Sequence, residues 1–598
     1  MNRLGIGLGG LGILAAALVP LGARADTSGV AVHDIQGAAH VSPYKGRAVS
    51  GVAGIVTATG STGFWMQDPR PDDDPATSEG VFVYTRTKPT VAAGDAVTVA
   101  GTVTEYRPSD VNGPNLTTTE IGSPQVTVDS HGNTPPAATV IGIGGRRPPS
   151  KVIDEGTDGS VETGGAFRPD RDGIDFYESL EGMRVELRDA TAVGPTNSYG
   201  ETPVVGDGGR TATVRTARGG IVMRENDANP ERLIVTKGGA SVPAANTGDR
   251  YDQVTGVLDY AFGNFELLAD RTPKLTAAGL KPETTRAARS GELAFATFNV
   301  ENLSPKDPAS KFTALAEQIV GNLRAPDLLS LEEVQDNTGP TDDGVVAADQ
   351  TVAKLVAAIK DAGGPAYTWR SIDPQDKADG GQPGGNIRVG FLYRTDRGLR
   401  FTDRAGGDAT TPVRVEGTGA ATRLSASPGR VDPANAAWTD SRKPLAGEFT
   451  WHGRTLFVIA NHWNSKGGDD PLFGRYQPPR LASEAQRVSQ ATTEATFVNA
   501  LRKADPAARI IVAGDLNDFD FAKPITTFTS ATHLLDLPAT LPLAQRYTYD
   551  YQGNSEVLDH ILISPTLAAA PHAYDVVHVN AEFADQISDH DPSVLRIR

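Results

Sequence analysis

RIIVAGDLNDFDF, Arg509 to Phe521, is an apolar run that ends abruptly at Gly514 and passes into a cluster of acids and amides. Residues 510–513 read as a buried strand, and a glycine directly after them lets the chain bend closely. Asp515 can then orient or deprotonate a water. Asn517 stands two residues on, on the same side of an extended chain, and can donate to a developing oxyanion. An ordinary turn after a strand is the competing reading of this stretch alone.

The surrounding sequence repeats the pattern. From Glu292 onward, strand-like runs (LAFATFNV, LLSLEEV, VGFLYR, LFVIANHW, LDHILIS, SVLRIR) alternate with helix-like ones (KFTALAEQIVGNL, DQTVAKLVAAIKDA, LASEAQRVSQATTEATFVNALRKA). Strands interleaved with helices over about 300 residues predict a layered α/β domain. Several of the strands end in polar groups. FATFNVEN carries Asn299 and Glu301, which alone reads equally as a strand-end turn. DLLSLEEVQD carries Glu332 and Glu333, which cannot both face the core because strand residues alternate sides, so one points into a cleft. VIANHWNSKGGDD places His462, Asn464 and Lys466 beside Gly467-Gly468, donors at alternate positions that suit an anionic ligand. LDHILIS opens with Asp559 and His560. SDHDPS holds Asp589, able to take a divalent cation through a hard oxygen, and His590, able to handle a proton. Each alone reads also as a solvated turn, and their joint occurrence decides for a site.

The ordered series NVEN, LEEVQ, NHW, GDLND, LDHILIS, SDHDP resembles the endonuclease/exonuclease/phosphatase superfamily, the deoxyribonuclease I-like enzymes that also include abasic-site nucleases and neutral sphingomyelinases. With NHWNSKGGDDPLFGR and the upstream β regions, it is similar to secreted bacterial nucleases of the ExeM and NucH type. The resemblance implies a four-layered α/β sandwich, two packed sheets with helices outside and the active site along one edge. It implies that Asn299, Glu333 and Asp589 hold a catalytic Mg2+ or Mn2+, with Ca2+ as a further requirement to be tested. It gives His462 to the phosphate or leaving group, Asp515 to the attacking water and Asn517 to the pentavalent state. His590 is implied as general base or phosphate ligand, oriented by Asp559, and Arg388 as a looser match to a phosphate contact beside Asn464 and Lys466. Relatives often carry Gln-Glu where this chain has Glu332-Glu333, which makes Glu332 an extra charge near the metal.

Upstream, Val/Thr/Gly-rich stretches such as GVAGIVTAT (51–59) and GDAVTVAGTVTEY (94–106) alternate like antiparallel strands, and GDRYDQVTGVLDYAFGNFELL (248–268) echoes them. We expect two tandem small β-barrel, OB-like modules, at 30–135 and 142–276, a linker at 277–291 and the catalytic domain at 292–598. In GFWMQDP, Phe64 and Trp65 either stack on bases or fill a barrel core. Asp72, Asp73 and Asp74 form either a Ca2+ loop or a solvated acidic turn.

Residues 1–25, with an early Arg, a Leu/Ala/Gly run and Ala23-Arg24-Ala25, read as a secretory signal peptide cleaved near Asp26, a short membrane anchor being the alternative. The expectation is a secreted, extracellular monomer without stable membrane association. There is no cysteine, which excludes disulfides, thiolate metal sites and Cys nucleophiles. The formal charge of -17, from 73 acidic and 56 basic residues, argues against tight, purely electrostatic nucleic-acid binding. It leaves room for an enzyme that bridges its carboxylates to phosphate with cations. The expected function is hydrolysis of phosphodiester bonds in extracellular DNA or RNA. A sphingomyelinase-like phosphodiesterase and a non-catalytic matrix-binding protein are the alternatives.

Overall fold

A computed structural model describes residues 29–598; the signal-peptide reading of 1–25 lies outside the described residues. The first β region closes on itself. Strands β1 (Ala48–Thr59), β2 (Gly63–Gln67), β3 (Gly80–Tyr84), β4 (Ala96–Tyr106) and β5 (Thr118–Ser130) form a closed barrel in the order β1-β2-β3-β5-β4. Alternation sends Val52, Val56, Phe64, Met66, Val81, Val83, Val97 and Val99 inward to one buried cluster.

The second β region repeats this scheme. Strands β6 (Arg184–Ala192), β7 (Thr202–Val205), β8 (Leu233–Lys237), β9 (Arg250–Ala261) and β10 (Asn264–Ala269) pair as β6-β7-β8-β10-β9, and β9 pairs back to β6. In both regions the third and fifth strands pair in parallel while the ring otherwise runs antiparallel. The echo between 94–106 and 248–268 is thus the fourth strand of each ring, with the second stretch running on into the fifth. The stretch 277–291 contains no helix or strand, yet it is docked: the Thr285 N–H donates to the Asn322 carbonyl at 2.9 Å and the Glu283 N–H to that of His578 at 2.9 Å.

The C-terminal region is built of two sheets face to face. The first contains β11 (Leu293–Leu303), β12 (Leu328–Val334), β13 (Arg388–Tyr393) and β14 (Ser593–Ile597); the second contains β15 (Leu445–Trp451), β16 (Arg454–His462), β17 (Ile510–Asp515) and β18 (Asp559–Ile563). Phe295, Leu328, Phe391, Val458, Ala513, Ile561 and Leu595 fill the space between the sheets. Helices α1 (Ala309–Glu317) and α2 (Asp349–Asp361) cover the outer face of the first sheet through Phe312, Leu315, Leu355 and Ile359. Helices α3 (Glu484–Ala504) and α4 (Lys523–Thr532) cover the second through Ala491, Val498, Leu501 and Phe528. The layers are therefore helix, sheet, sheet, helix.

Each sheet contains one parallel pair joined through a helix, β11-α1-β12 in the first and β16-α3-β17 in the second. Parallel strands present their carboxyl ends at one edge, where binding crevices of α/β sheets form. Both pairs deliver their polar strand ends to the same edge. Among the described residues no helix is long and apolar enough to cross a membrane.

The second ring is fastened to this domain by the loop that follows His462. Phe473 enters its buried cluster, with ring centroids 5.6 Å from Phe265 and 5.9 Å from Tyr177, and its carbonyl accepts from the Tyr260 hydroxyl at 2.9 Å. The DDPLFGR half of the motif is therefore an anchor between domains.

Candidate active site

Register, more than any single residue, assembles the site. Across the second sheet His462 pairs with Asp515, and Asp515 with Asp559. The apolar residues two positions before His462 and Asp515 and two after Asp559 (Ala460, Ala513 and Ile561) lie in the inter-sheet core. The same alternation therefore aims all three polar side chains between the sheets, at the edge where the core ends. From the first sheet Phe295 lies in that core, and Thr297 and Asn299 continue its face.

Asn299 spans the gap. Its Nδ2 donates to Glu333 Oε1 at 3.0 Å and approaches Asp515 Oδ2 at 3.4 Å, while its Oδ1 accepts from the Glu301 N–H. Glu333 also accepts the Asn302 N–H at 2.9 Å and keeps its side chain 17% exposed. Glu301, Asn302 and Glu333 all have positive φ, at 49°, 50° and 61°. Such backbone in non-glycine residues is uncommon and clusters at functional sites.

Asp515 is buried, with one oxygen on the Asn517 N–H at 2.8 Å and the other 3.2 Å from Asn517 Nδ2. Asn517 Nδ2 also donates to the Trp463 carbonyl at 3.0 Å. Its amide is thus engaged in holding Asp515, whereas the sequence reading aimed it at an oxyanion. Burial, reinforced by the neighbouring Asp559 and Glu333 carboxylates, pushes Asp515 up to about 7.

Opposite stands a histidine-carboxylate pair. His590 Nδ1 lies 2.7 Å from Asp559 Oδ2 and its Nε2 3.8 Å from Asp515 Oδ2, with the Tyr549 ring 4.8 Å away. Burial works against the imidazolium, but Asp559, Asp589 and Asp515 outweigh it and hold His590 well above the ordinary histidine range. His462 is the reverse. Burial and the positive charges of Arg442 and His590 hold it well below that range, so it stands neutral with Nε2 3.5 Å from Asp515. One neutral and one cationic imidazole share a carboxylate.

The remaining expected residues separate. Asp589 stays at the rim with its side chain 36% exposed, 3.9 Å from His590, and neither close cluster, Glu333-His462-Asp515 or Asp515-Asp559-His590, includes it. Lys466 lies over the Phe519 ring at 4.5 Å, 3.5 Å from Asp518, so it borders the 515–519 turn. The Asn464 backbone is pinned by Gln490 on α3 at 2.9 Å, which leaves its half-buried side chain on the same loop. Arg388 is not brought to the cluster: its guanidinium is paired with Asp373 and with the Asn386 carbonyl. Asp72 and Asp74 cap their own turn, accepting from Asp74 N and Ala76 N at 2.9 Å each, as a solvated acidic loop does.

Glu332 departs from the expectation of an extra charge beside the metal. It is fully buried, accepting from Ser330 Oγ at 2.6 Å and Thr297 Oγ1 at 3.0 Å, and burial holds its carboxyl well above the usual range. Glu332→Gln is therefore expected to change the steady-state rate less than about threefold, whereas Glu333→Gln lowers metal affinity at least about 10- to 100-fold. Metal titrations of both variants check this.

Sequence reasoning missed the supports behind the site. Glu494 on α3 accepts from Asn461 Nδ2 and Trp463 Nε1, both at 3.0 Å, and so fixes the residues either side of His462. Arg487 on α3, also buried, donates to Asp518 at 2.8 Å and to the Ser465 carbonyl at 3.1 Å. Their only sequence signal is polar residues on the inward face of a helix.

Residues 296–590 match the model of the endonuclease/exonuclease/phosphatase family. That family's domain is one of phosphoester hydrolases, and its span runs from Ala296 to His590, the two sides of the site just described. A separate model, a domain of unknown function (DUF8508), matches residues 140–278. No curated protein matches the chain. Solved structures similar to part of this chain include an endonuclease/exonuclease/phosphatase from Bacteroides vulgatus, 14% identical over 51% of this chain and 98% of that one, with a TM-score of 0.32. D. rerio TDP2 complexed with single strand DNA product is 16% identical over 51% and 99%, TM-score 0.32. A Bacteroides thetaiotaomicron mannosyl-6-phosphatase is 15% identical over 51% and 99%, TM-score 0.32.

The donor set of the site fits a hard divalent cation. Glu333, Asp515 and Asp559 converge with no Lys or Arg hydrogen-bonded to any of them among the described residues, and buried Asp559 Oδ1 has no partner. His590 alone does not balance three carboxylates, and oxygen ligands suit Mg2+ or Mn2+.

Proposed function

We propose that the protein is a secreted, metal-dependent nuclease of the ExeM/NucH type that hydrolyses phosphodiester bonds of extracellular DNA, with both upstream rings serving as OB-like modules. The observation that carries the hydrolytic part is Asp515 held between a neutral His462 and a cationic His590, facing Asn299 and Glu333 across the sheets. The DNA substrate and the export rest on the motif series and the residue 1–25 pattern.

A phosphodiester resists water because its anionic oxygens repel the nucleophile, so its hydrolysis needs positioning and charge neutralisation. Asp515, both oxygens fixed by Asn517 and one also facing the Asn299 amide, aligns a water and takes its proton. A carboxylate near 7 is matched to that task at neutral pH. His590, kept protonated by Asp559, donates from Nε2 to a phosphoryl oxygen. Neutral His462 contributes a second hydrogen bond at the same group. Glu333 and Asn299 would hold a divalent cation, which would supply further neutralisation of the phosphate charge.

The pH profile follows. Asp515 works as the anion and is raised to about 7, so its active fraction falls as pH drops below that value. At saturating Mg2+, kcat is expected to fall about tenfold per pH unit on the acid side, while His590 stays protonated through neutrality. A flat profile from pH 5 to 8 contradicts the base assignment.

Substrate is tested by incubating the protein with plasmid DNA, RNA and sphingomyelin vesicles, each with Mg2+, Mn2+ and Ca2+. Cleavage of DNA is expected. Cleavage of sphingomyelin alone contradicts the nuclease reading, and no cleavage of any substrate favours a non-catalytic matrix-binding protein.

A further inference from the structure

The outer faces of the two rings enclose a cleft of 540 Å³ whose lining includes no residue of the catalytic cluster, within the range of about 300–1,000 Å³ usual for small-ligand sites. Its walls are aromatic. On β2 and β3, Phe64, Met66, Val81 and Val83 turn into the barrel core, so the alternate residues Trp65, Phe82 and Tyr84 turn out to the cleft. Trp65 and Phe82 sit opposite one another with ring centroids 4.8 Å apart. Thus Phe64 is core, and Trp65 is not.

Two further aromatics stand at the rim at a cost. Tyr106 is 55% exposed and Phe262 is 71% exposed. Phe262 and Gly263 are the two central residues of the β9-β10 hairpin, with φ of 48° and 83°. A turn with both residues at positive φ favours Asn-Gly, because a bulky side chain strains that backbone. Here the chain accepts a strained, solvent-facing phenyl ring at the mouth of the cleft.

The polar lining decides the class of ligand. Glu120, Glu181 and Asp259 face the cleft, and no Lys or Arg among the described residues lines it. Glu181 gives one oxygen to the Thr119 N–H and Glu120 one to Thr104 Oγ1, leaving the second oxygen of each for a ligand. Single-stranded nucleic acid needs a cationic groove beside its stacking platforms, and the lining of this cleft offers its phosphates acidic groups and no cation. Sugar rings stack their C–H faces on aromatic rings, and their hydroxyls donate to carboxylates.

We propose that the cleft between the two rings binds a neutral or aminated oligosaccharide, stacked on Trp65, Phe82 and Phe262 with its hydroxyls on Glu120 and Glu181. It tethers the catalytic domain to a polysaccharide without taking part in hydrolysis. The site stands independently of the nuclease reading.

The test is calorimetric titration of the full chain, in chelator, with hexamers of β-1,4-glucan, β-1,3-glucan, α-1,4-glucan, N-acetylglucosamine and glucosamine, and with oligothymidylate. At least one saccharide is expected to bind at millimolar concentration or below. Phe262→Ala, which removes an exposed ring and leaves the core intact, and Trp65→Ala, checked by its melting temperature, are each expected to weaken that binding about tenfold. Phe262→Ala is expected to leave phosphodiester cleavage unchanged. Absence of binding to all five saccharides overturns the proposal, as does oligothymidylate binding that Phe262→Ala weakens.

Discussion

His590→Ala is expected to lower kcat for DNA cleavage by about 10³-fold or more, with the fold intact. The residue combines two tasks: the hydrogen bond to the phosphoryl oxygen and, among the described residues, the only positive side-chain charge hydrogen-bonded within the cluster. Proton transfer by a positioned side chain contributes about 10²- to 10⁴-fold, and removing one donor to a developing charge costs about 10²- to 10³-fold. Asp559→Asn tests the same device one step back. It keeps the shape and the hydrogen bond but withdraws the charge that favours the imidazolium, so the optimum is expected to move toward lower pH. Initial rates for both variants across pH separate the two effects. His590→Ala with kcat within threefold of wild type would place the chemistry elsewhere.

Deleting residues 588–598 is expected to unfold the C-terminal domain as well as to abolish cleavage. β14 is flanked on both sides, by β11 and by His572–Val576, and Val594, Leu595 and Ile597 are fully buried. Burying such side chains contributes about 1.5–3 kcal/mol each. Against a net stability of about 5–15 kcal/mol, losing three of them together with two ladders leaves little. Asp591 adds a second reason. One of its oxygens accepts from the Val579, Asn580 and Ala581 N–H groups and the other pairs with His578 at 2.8 Å, so it pins the 577–581 loop. A truncated protein with the near-ultraviolet circular dichroism and melting transition of the full chain would contradict this account.

Strand and site were legible where side chains alternate in a simple way. In RIIVAGDLND and LFVIANHW the same period that buries Ala513 and Ala460 delivers Asp515 and His462 to one edge. The Glu332-Glu333 pair was legible in kind, one carboxyl inward and one toward the cleft. That Glu332 is a core residue held by hydroxyls was hidden, because it depends on Thr297 and Ser330, which only the parallel pairing of β11 and β12 brings together. Asp589 and Asp591 look alike in SDHDP; the loop that claims Asp591 comes from residues 577–581, folded back beside it. Arg388 was misplaced for a related reason, since an arginine at a strand start binds whatever carboxylate the fold supplies, here Asp373. Glu494 and Arg487 were invisible as site supports because inward polar residues on α3 lower its amphipathic contrast and say nothing of their partners. The repeated ring order of the two upstream modules was foreshadowed by GDAVTVAGTV and GDRYDQVTGVLDY, but closure itself depends on long-range pairing that local sequence does not encode.

The central claim is that Asp515, His590 and Glu333 form one metal-dependent site for phosphodiester hydrolysis. Its most direct test is the initial rate of plasmid cleavage by wild type and by Asp515→Ala, each with Mg2+, with Mn2+ and in chelator. The expected result is cleavage by wild type with Mg2+ or Mn2+ that stops in chelator, and a loss of about 10³-fold or more in the variant with either metal. Cleavage by Asp515→Ala at the wild-type rate would contradict the account.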